Sequence, residues 1–264
     1  MPITCGMRIE PLTTESFASL DYRVMSCAYA SQNHIGRLAD ERIYEASLAH
    51  QLEKLGLSCR RHVPIHVEHK TFNKTYFLDA VVNSSGVYEL KTVSQLTGEH
   101  VSQLLTYLYL LDLPRGKLIN FRSMKVESQF VNAPLTASNR RGFEVVRQVK
   151  SGAEYLFELV LEMLRDLGTA LSLSLYQEIM VHLLGGEESV VAMIPLADGD
   201  TNLGNQRFYL ASSTESYHIT CFQDVPGQYE QHLQSLLQLS PLNAIHWVNI
   251  DVKCVSFNTI TRKT

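Results

Sequence analysis

Thr75–Lys91, TYFLDAVVNSSGVYELK, places an acid, a turn and an acid-x-lysine on two short apolar runs. Residues two apart in a strand share a face, so Glu89 and Lys91 project to one side of YELK while Tyr88 and Leu90 project to the other. Asp79 joins the charged side if Ser84, Ser85 and Gly86 form a three-residue hairpin loop with Gly86 left-handed, which sets Asp79 opposite Lys91. A four-residue loop turns Asp79 away. Two carboxylates and an ammonium on one sheet face are hard to explain as packing, because buried charge is costly unless paired or bound to metal. The hard-oxygen pair suits Mg²⁺ or Mn²⁺. Beside such an ion, the lysine can orient or deprotonate a water, or stabilise charge on a scissile phosphate. The same spacing also fits a solvated strand face with an incidental salt bridge, because D-x9-E-x-K recurs by chance.

The chain has 264 residues, 45% of them hydrophobic, enough for a sizeable core in one large or two modest domains. No charged start leads into an apolar signal segment, and no apolar run approaches the roughly 18 residues of a membrane helix. A soluble, cytoplasmic protein without a membrane partner is the expectation. Cys5, Cys27, Cys59, Cys221 and Cys254 are odd in number and form no C-x-x-C pair, which argues against a disulfide framework or a zinc knuckle. His62, His66 and His69 are the one histidine cluster. His62 and His66 share strand parity with Pro64, and all three histidines read as solvated positions rather than as metal ligands.

Charge is unevenly divided. Residues 1–150 hold 18 Lys+Arg against 14 Asp+Glu, and residues 151–264 hold 5 against 13. The first half can meet phosphate, and the acidic second half makes a poor phosphate platform.

Working outward from the hairpin, residues 1–11 form an irregular or loosely paired arm. Helical spacing begins at Thr14, with Thr13 or Thr14 as N-cap and Gly36 near its end, and a second helix runs from about Leu38 to Leu55. Its stripe of Glu41, Tyr44, Glu45, Leu48 and Leu52 puts an acid at the edge of the core-facing side. Glu41 can reach the sheet from there, or serve only to meet the helix dipole. Ser58–Val67 alternates as a strand, and Pro64 suggests an edge position. After the Asp79 and Glu89 strands, Thr97 caps a helix over about Gly98–Leu111 that brings Gln103 and Tyr107 onto one face. Strands at Lys117–Phe121 and Val126–Val131 close the unit, giving an α/β layer with a mixed sheet.

Ala133–Arg141 has the composition of a linker. Beyond it, helices at Ala153–Leu167 and Leu171–Leu184 precede strands at Ser189–Leu196, Arg207–Ala211 and Tyr217–Phe222. A helix near Tyr229–Leu239 and strands around Ile245–Ile260 complete a second, α+β unit. The expected domains are residues 1–135 and 145–264.

With Gly36, Glu41, Tyr44, Asp79, Glu89-Leu90-Lys91, Gln103 and Tyr107 in this order, the chain resembles the GxxExxY proteins of the PD-(D/E)XK nuclease superfamily. The likeness spans about Tyr22 to Asn132, through ERIYEASLAHQLEKLGL, YELKTV and QLLTYLYLLDLPRGKLINF. It implies a restriction-endonuclease-like αβββαβ core. It also implies metal binding by Asp79 and Glu89 with help from the Leu90 carbonyl, Glu41 as a helix-borne acid, and Lys91 as catalytic lysine. Gln103 and Tyr107 match the Q-x-x-x-Y element of RecB-type members, which positions substrate. The family's G-x-G turn is here Gly36-Arg37-Leu38, and its upstream glutamate and histidine appear as Ala30 and Gln32. No metal-site position is lost, so a competent site is expected.

The resulting expectation is a Mg²⁺- or Mn²⁺-dependent nuclease acting on DNA ahead of RNA, at ends or on single strands, in a repair or phage-defence setting. Arg60, Arg61, Lys70 and Lys74 would contact the nucleic-acid backbone. The alternative is a nuclease-shaped module that binds nucleic acid or protein without useful turnover. No G-x-x-x-x-G-K-[ST] loop is present, so processive action needs a helicase-type partner. The acidic second half mimicking nucleic acid or docking on the basic first half offers a homodimer or an autoinhibited monomer as a further arrangement.

Overall fold

The computed structural model of the chain describes residues 2–148 and 153–262. They form two compact units, one of residues 1–68 and 73–137 and the other of residues 69–72 and 138–264. Each carries a six-stranded mixed sheet.

The first unit comprises β1 (Ile3–Cys5), α1 (Thr14–Ile35), α2 (Glu41–Lys54), β2 (Cys59–His69), β3 (Phe72–Val82), β4 (Gly86–Lys91), α3 (Gly98–Leu110), β5 (Arg115–Asn120) and β6 (Glu127–Asn132). The sheet order follows the chain, β1 to β6, with β4 and β5 parallel and the β3–β4 and β5–β6 pairs antiparallel. The β4–α3–β5 crossover is what a parallel pair requires, since a short turn cannot reverse the chain twice.

Helices cover both sheet faces. Ala80, Val82, Tyr88, Leu90, Ile119 and Phe121 pack with Phe17, Val24, Tyr44, Leu48 and Leu52 of α1 and α2 in one buried cluster. Each such aliphatic side chain contributes about 1.5–3 kcal/mol on leaving water. The alternate residues of β4 and β5 face α3, and Gly116 packs tightly there. A Cβ at that position would stand 3.1 Å from the Val87 carbonyl and 3.2–3.3 Å from Leu108 and Leu104. Within the first cluster's layer, Lys117 pairs with Asp21 at 2.5 Å and lies 4.2 Å from the centre of the Phe130 ring.

Three expectations change here. The hairpin loop is Asn83-Ser84-Ser85, with Asn83 and Ser84 left-handed at φ 52° and 53°, and Gly86 already pairs with Val82. The loop still has three residues, so Asp79 keeps the face of Glu89, but the loop moves back by one position and each β3 residue meets a partner two residues earlier. Asp79 follows the Ala80–Tyr88 pair and so stands beside Glu89 instead of opposite Lys91. Secondly, β2 is not an edge. β1 covers it through Ile3–Val67, Thr4–His66 and Cys5–Ile65, and Pro64 needs only its carbonyl, which accepts the Gly6 N–H at 2.8 Å. Thirdly, the linker reading of Ala133–Arg141 fails at its end. Residues Ala137–Arg141 form a short helix, α4, and Arg140 is buried with Nη1 donating to the carbonyls of Leu167 and Thr169. A buried guanidinium held by carbonyls at and just beyond a helix end belongs to a core.

The second unit continues with β7 (Glu144–Gln148), α5 (Glu154–Leu167), α6 (Leu173–Leu183), α7 (Glu187–Val190), β8 (Val191–Asp198), β9 (Thr201–Leu210), β10 (Glu215–Thr220), α8 (Tyr229–Leu239), β11 (Ala244–Ile250) and β12 (Cys254–Thr261). Its sheet runs β7-β12-β11-β10-β9-β8, with β7 parallel to β12 and β10 parallel to β11. β7 has no counterpart among the expected strands. Among the described residues, all five cysteines are free and no helix is long and apolar enough to cross a membrane.

Candidate active site

The β3–β4 ladder pairs Val82 with Gly86, Val81 with Val87 and Ala80 with Tyr88. At the next position the Asp79 carboxylate takes over: its Oδ2 accepts the Leu90 N–H at 2.7 Å. A side-chain oxygen thus satisfies a strand amide that would otherwise need a main-chain carbonyl. Glu89 is 1% exposed, and Lys91 Nζ donates to its Oε1 at 2.7 Å while lying 4.0 Å from Asp79 Oδ2. The other carboxylate oxygen of Glu89, Oε2, is buried and accepts no hydrogen bond.

Glu41 arrives from α2. The loop that delivers it is tied down by Tyr44, whose hydroxyl donates to the Gly36 carbonyl at 2.7 Å and whose ring stacks on Phe121. Arg122 reaches the carbonyls of Ala39 and Thr92, one on each side of the site. The Thr92 backbone acts on Glu41 to favour its charged form. One carboxylate oxygen each from Glu41, Glu45 and Asp79 lie within 4.8 Å of one another.

Four carboxyl groups are held above their ordinary range, Glu45 among them by burial, with His62 opposing and Asp79 assisting. Glu89 is pushed up to about 8 by burial and then by Asp79, against the pull of Lys91. Asp79 is raised by burial, which outweighs the Leu90 amide and Lys91. Burial also raises Glu41, with Lys91 opposing and Asp79 and Glu45 assisting. For Lys91, burial alone would lower the ammonium, but Glu89, Asp79 and Glu41 together hold it above its usual value. The site therefore crowds several acids around one retained ammonium.

Gln103 and Tyr107 sit on α3, with Gln103 Nε2 donating to the Tyr107 hydroxyl at 2.8 Å. Burial pushes Tyr107 up to about 12, so its hydroxyl keeps a proton and can donate it in a hydrogen bond. Its ring packs at 5.4 Å against Tyr76, over which Lys74 lies at 4.8 Å. Arg60 and Arg61 are exposed on β2. Lys70 falls in the second unit, where its ammonium pairs with Glu162.

Two residues near the site escaped the sequence reading. Glu45 was placed in the α2 stripe without a role, yet it is 3% exposed and borders Asp79 and Glu41. Its spacing of four from Glu41 was the available signal. His62, expected to be solvated, has its Nε2 2.8 Å from Glu45 Oε2. It sits at φ 52°, which breaks the strand alternation, and nothing in the sequence announces that. His66 is exposed as expected. His69 is not: it is buried in the second unit with Nδ1 2.7 Å from Asp166 Oδ2.

A mixed sheet with helices on both faces, entered by two diverging strands that carry clustered acids and a lysine, defines a restriction-endonuclease-like α/β core. Residues 18–132 match the family model described as the PD-(D/E)XK nuclease superfamily. That span runs from α1 through β6 and contains Glu41, Asp79, Glu89, Lys91, Gln103 and Tyr107. No curated protein and no solved structure gives a significant match to the chain.

Proposed function

We propose that the first unit is a Mg²⁺- or Mn²⁺-dependent nuclease of the GxxExxY type that hydrolyses phosphodiester bonds of DNA, at ends or on single strands. The observation that carries this reading is the buried Glu89 oxygen left without a hydrogen bond beside Asp79. A buried carboxylate oxygen forgoing a partner costs stability unless something else completes it. Hard carboxylate oxygens are the donors that Mg²⁺ and Mn²⁺ take. Asp79 and Glu89 would hold the ion, assisted by Glu41 and the Leu90 carbonyl. Bound there, a divalent ion supplies Lewis acidity and a water of lowered pKa.

The protein's own groups divide the remaining work. Lys91 stays protonated, so it orients the attacking water and stabilises charge growing on the phosphate rather than removing a proton. Gln103 sets the Tyr107 hydroxyl to donate toward a substrate oxygen. Tyr76 and Lys74 extend that side into a stacking shelf suited to an unpaired base. Arg60 and Arg61 would contact the backbone. Lys70, already paired, is the weakest of the four proposed phosphate contacts.

The test is a divalent-metal assay on linear, circular and single-stranded DNA and on RNA, beside Lys91→Ala. Metal-dependent cleavage of DNA that Lys91→Ala abolishes is the expected result. Cleavage surviving in Asp79→Ala, Glu89→Ala and Lys91→Ala alike overturns the assignment. Metal-independent binding without any cutting returns the chain to a regulatory module.

A further inference from the structure

The second unit repeats the element order of the first. Two helices, three strands, a helix and two strands follow one another as α1-α2-β2-β3-β4-α3-β5-β6 and, with α7 inserted, as α5-α6-β8-β9-β10-α8-β11-β12. Both sheets keep these five strands in the same order, and in both a helix spans the parallel pair, α3 between β4 and β5 and α8 between β10 and β11. Details recur inside that frame. Gly36 and Gly168 close α1 and α5 at φ 84°, and each carbonyl accepts the hydroxyl of the tyrosine eight residues on, Tyr44 at 2.7 Å and Tyr176 at 2.8 Å. Asn120 pairs with Lys91 at the end of β4, and Asn249 pairs with Thr220 at the end of β10. Each asparagine side chain then holds both main-chain groups of the residue two further on, Val93 or Phe222.

These anchors fix where the residues of the first site fall in the second unit. His218 stands where Glu89 does and Thr220 where Lys91 does. The Ala80–Tyr88 and Tyr209–Tyr217 pairs put Phe208 at the place of Asp79. The glycine–tyrosine spacing puts Leu173 at that of Glu41. α3 ends at 110 before β5 at 115, and α8 at 239 before β11 at 244, so Leu236 takes the place of Tyr107. No carboxylate remains at these positions, and a hard divalent ion has no ligands there. What the second unit has instead is a cleft of about 150 Å³ walled by Phe208, Leu233, Leu236 and Ile245. Ser216 lines it too, wholly buried, and its Oγ has no hydrogen-bond partner. The other polar side chains of the cleft are engaged or outside: Tyr217 takes the Gln177 amide at 3.0 Å, His218 meets the Tyr229 hydroxyl at 2.6 Å, and Gln206 and Arg207 are exposed. A water on Ser216 alone falls short of the two to four partners that hold a buried water in place, whereas an apolar cleft of this volume suits a single ring.

We propose that the second unit is a second copy of the first unit's fold in which the acidic site has given way to a pocket for one uncharged aromatic ring bearing a single hydrogen-bonding group, which meets Ser216. The apolar walls select the ring, and the unpaired hydroxyl selects its polar group. Phe208 in the place of Asp79 makes the exchange of chemistry plain, since it closes with a phenyl ring the point at which the first unit presents a carboxylate.

The test reads binding to the full chain by fluorine NMR, with para-fluorophenol as probe and fluorobenzene as the ring without a hydroxyl. Expected is saturable binding of one para-fluorophenol per chain. Ser216→Ala should weaken it about 2–10-fold, the worth of one hydrogen bond, and leave fluorobenzene unchanged. Leu236→Trp, which fills the cleft, should abolish binding of both, with circular dichroism checking the fold. Should Leu236→Trp fail to fold, the contrast between the two probes in Ser216→Ala decides the matter. A second arm titrates Mn²⁺ into the chain carrying Asp79→Ala and Glu89→Ala, where none should bind. Absence of saturable ring binding, or ring binding that neither variant alters, overturns the pocket. Mn²⁺ retained by the double variant and released by His218→Ala overturns the loss of the acidic site. Ring binding is counted whether or not the chain cleaves DNA, so failure of the nuclease reading leaves this result standing.

Discussion

Asp79 Oδ2 accepts the Leu90 backbone N–H at 2.7 Å, so the carboxylate closest to the β3–β4 divergence is also a structural acceptor. The two duties can be separated by substitution. Asp79→Ala leaves a part-buried amide unsatisfied and should cost about 1–3 kcal/mol. Asp79→Asn keeps an acceptor oxygen and should stay close to wild type in urea denaturation with EDTA present. Both should lose Mn²⁺ binding by calorimetry. Equal destabilisation by the two variants would show that the amide contact is not what Asp79 contributes to the fold.

A second prediction concerns pH. Glu89 is raised from near 4.5 to about 8, so between those values the folded chain holds a proton that the unfolded chain has released. Stability of the metal-free protein therefore falls as pH rises through that window and levels off above it. Glu89→Gln removes that group's share of the slope, leaving the parts due to Asp79, Glu41 and Glu45, and should be more stable than wild type at pH 9, as followed by urea midpoints in EDTA. Mn²⁺ should reverse the trend in wild type, since binding displaces the proton and tightens as pH rises toward 8. A wild-type midpoint that climbs with pH in EDTA would contradict the burial argument for Glu89.

Lys91 pairs with Glu89 at 2.7 Å and stays charged. If its work is stabilising charge on the phosphate, Lys91→Ala should lose about 10²–10³-fold in kcat while still binding Mn²⁺. Single-turnover cleavage beside calorimetry separates the two effects. Loss of Mn²⁺ binding together with cleavage would assign Lys91 to assembling the acids instead.

Gly116 lies where α3 packs tightly on the sheet. Gly116→Ala overpacks that contact and should cost about 1–3 kcal/mol, because the Val87 carbonyl cannot yield as a side-chain end can. Since α3 carries Gln103 and Tyr107, cleavage should fall while Mn²⁺ binding through β3 and β4 persists. Thermal melts and the calorimetric Mn²⁺ titration check both halves.

Much of this was legible from periodicity. Two-residue alternation put Glu89 and Lys91 on one face, and four-residue spacing put Gln103 beside Tyr107, because both are local properties of a strand and a helix, whereas Asp79 joined them only through the length of the turn. What escaped depended on contacts distant in sequence. Gly86 invited a left-handed assignment, but its lack of a side chain answers to space. A Cβ there would fall 2.8 Å from Leu20 and 2.9 Å from the Tyr88 ring. Asn83 and Ser84 take the left-handed turn instead, and Asn tolerates that region readily. Pro64 signalled an edge because a three-residue strand from the chain's start carries too little pattern to be foreseen as its cover. Arg140 looked like linker until the helix-end carbonyls around it were known.

The Asn83-Ser84-Ser85 turn lies at the surface, where chains usually gain and lose residues freely. This one cannot. If the three-residue turn is kept, one added residue slips the β3–β4 pairing by one, presents Ala80 on the lysine's side and sends Asp79 to the layer packed by α1 and α2. The turn is thus free to drift in composition but constrained in number, and its length acts as a parity bit on which the acidic pocket depends.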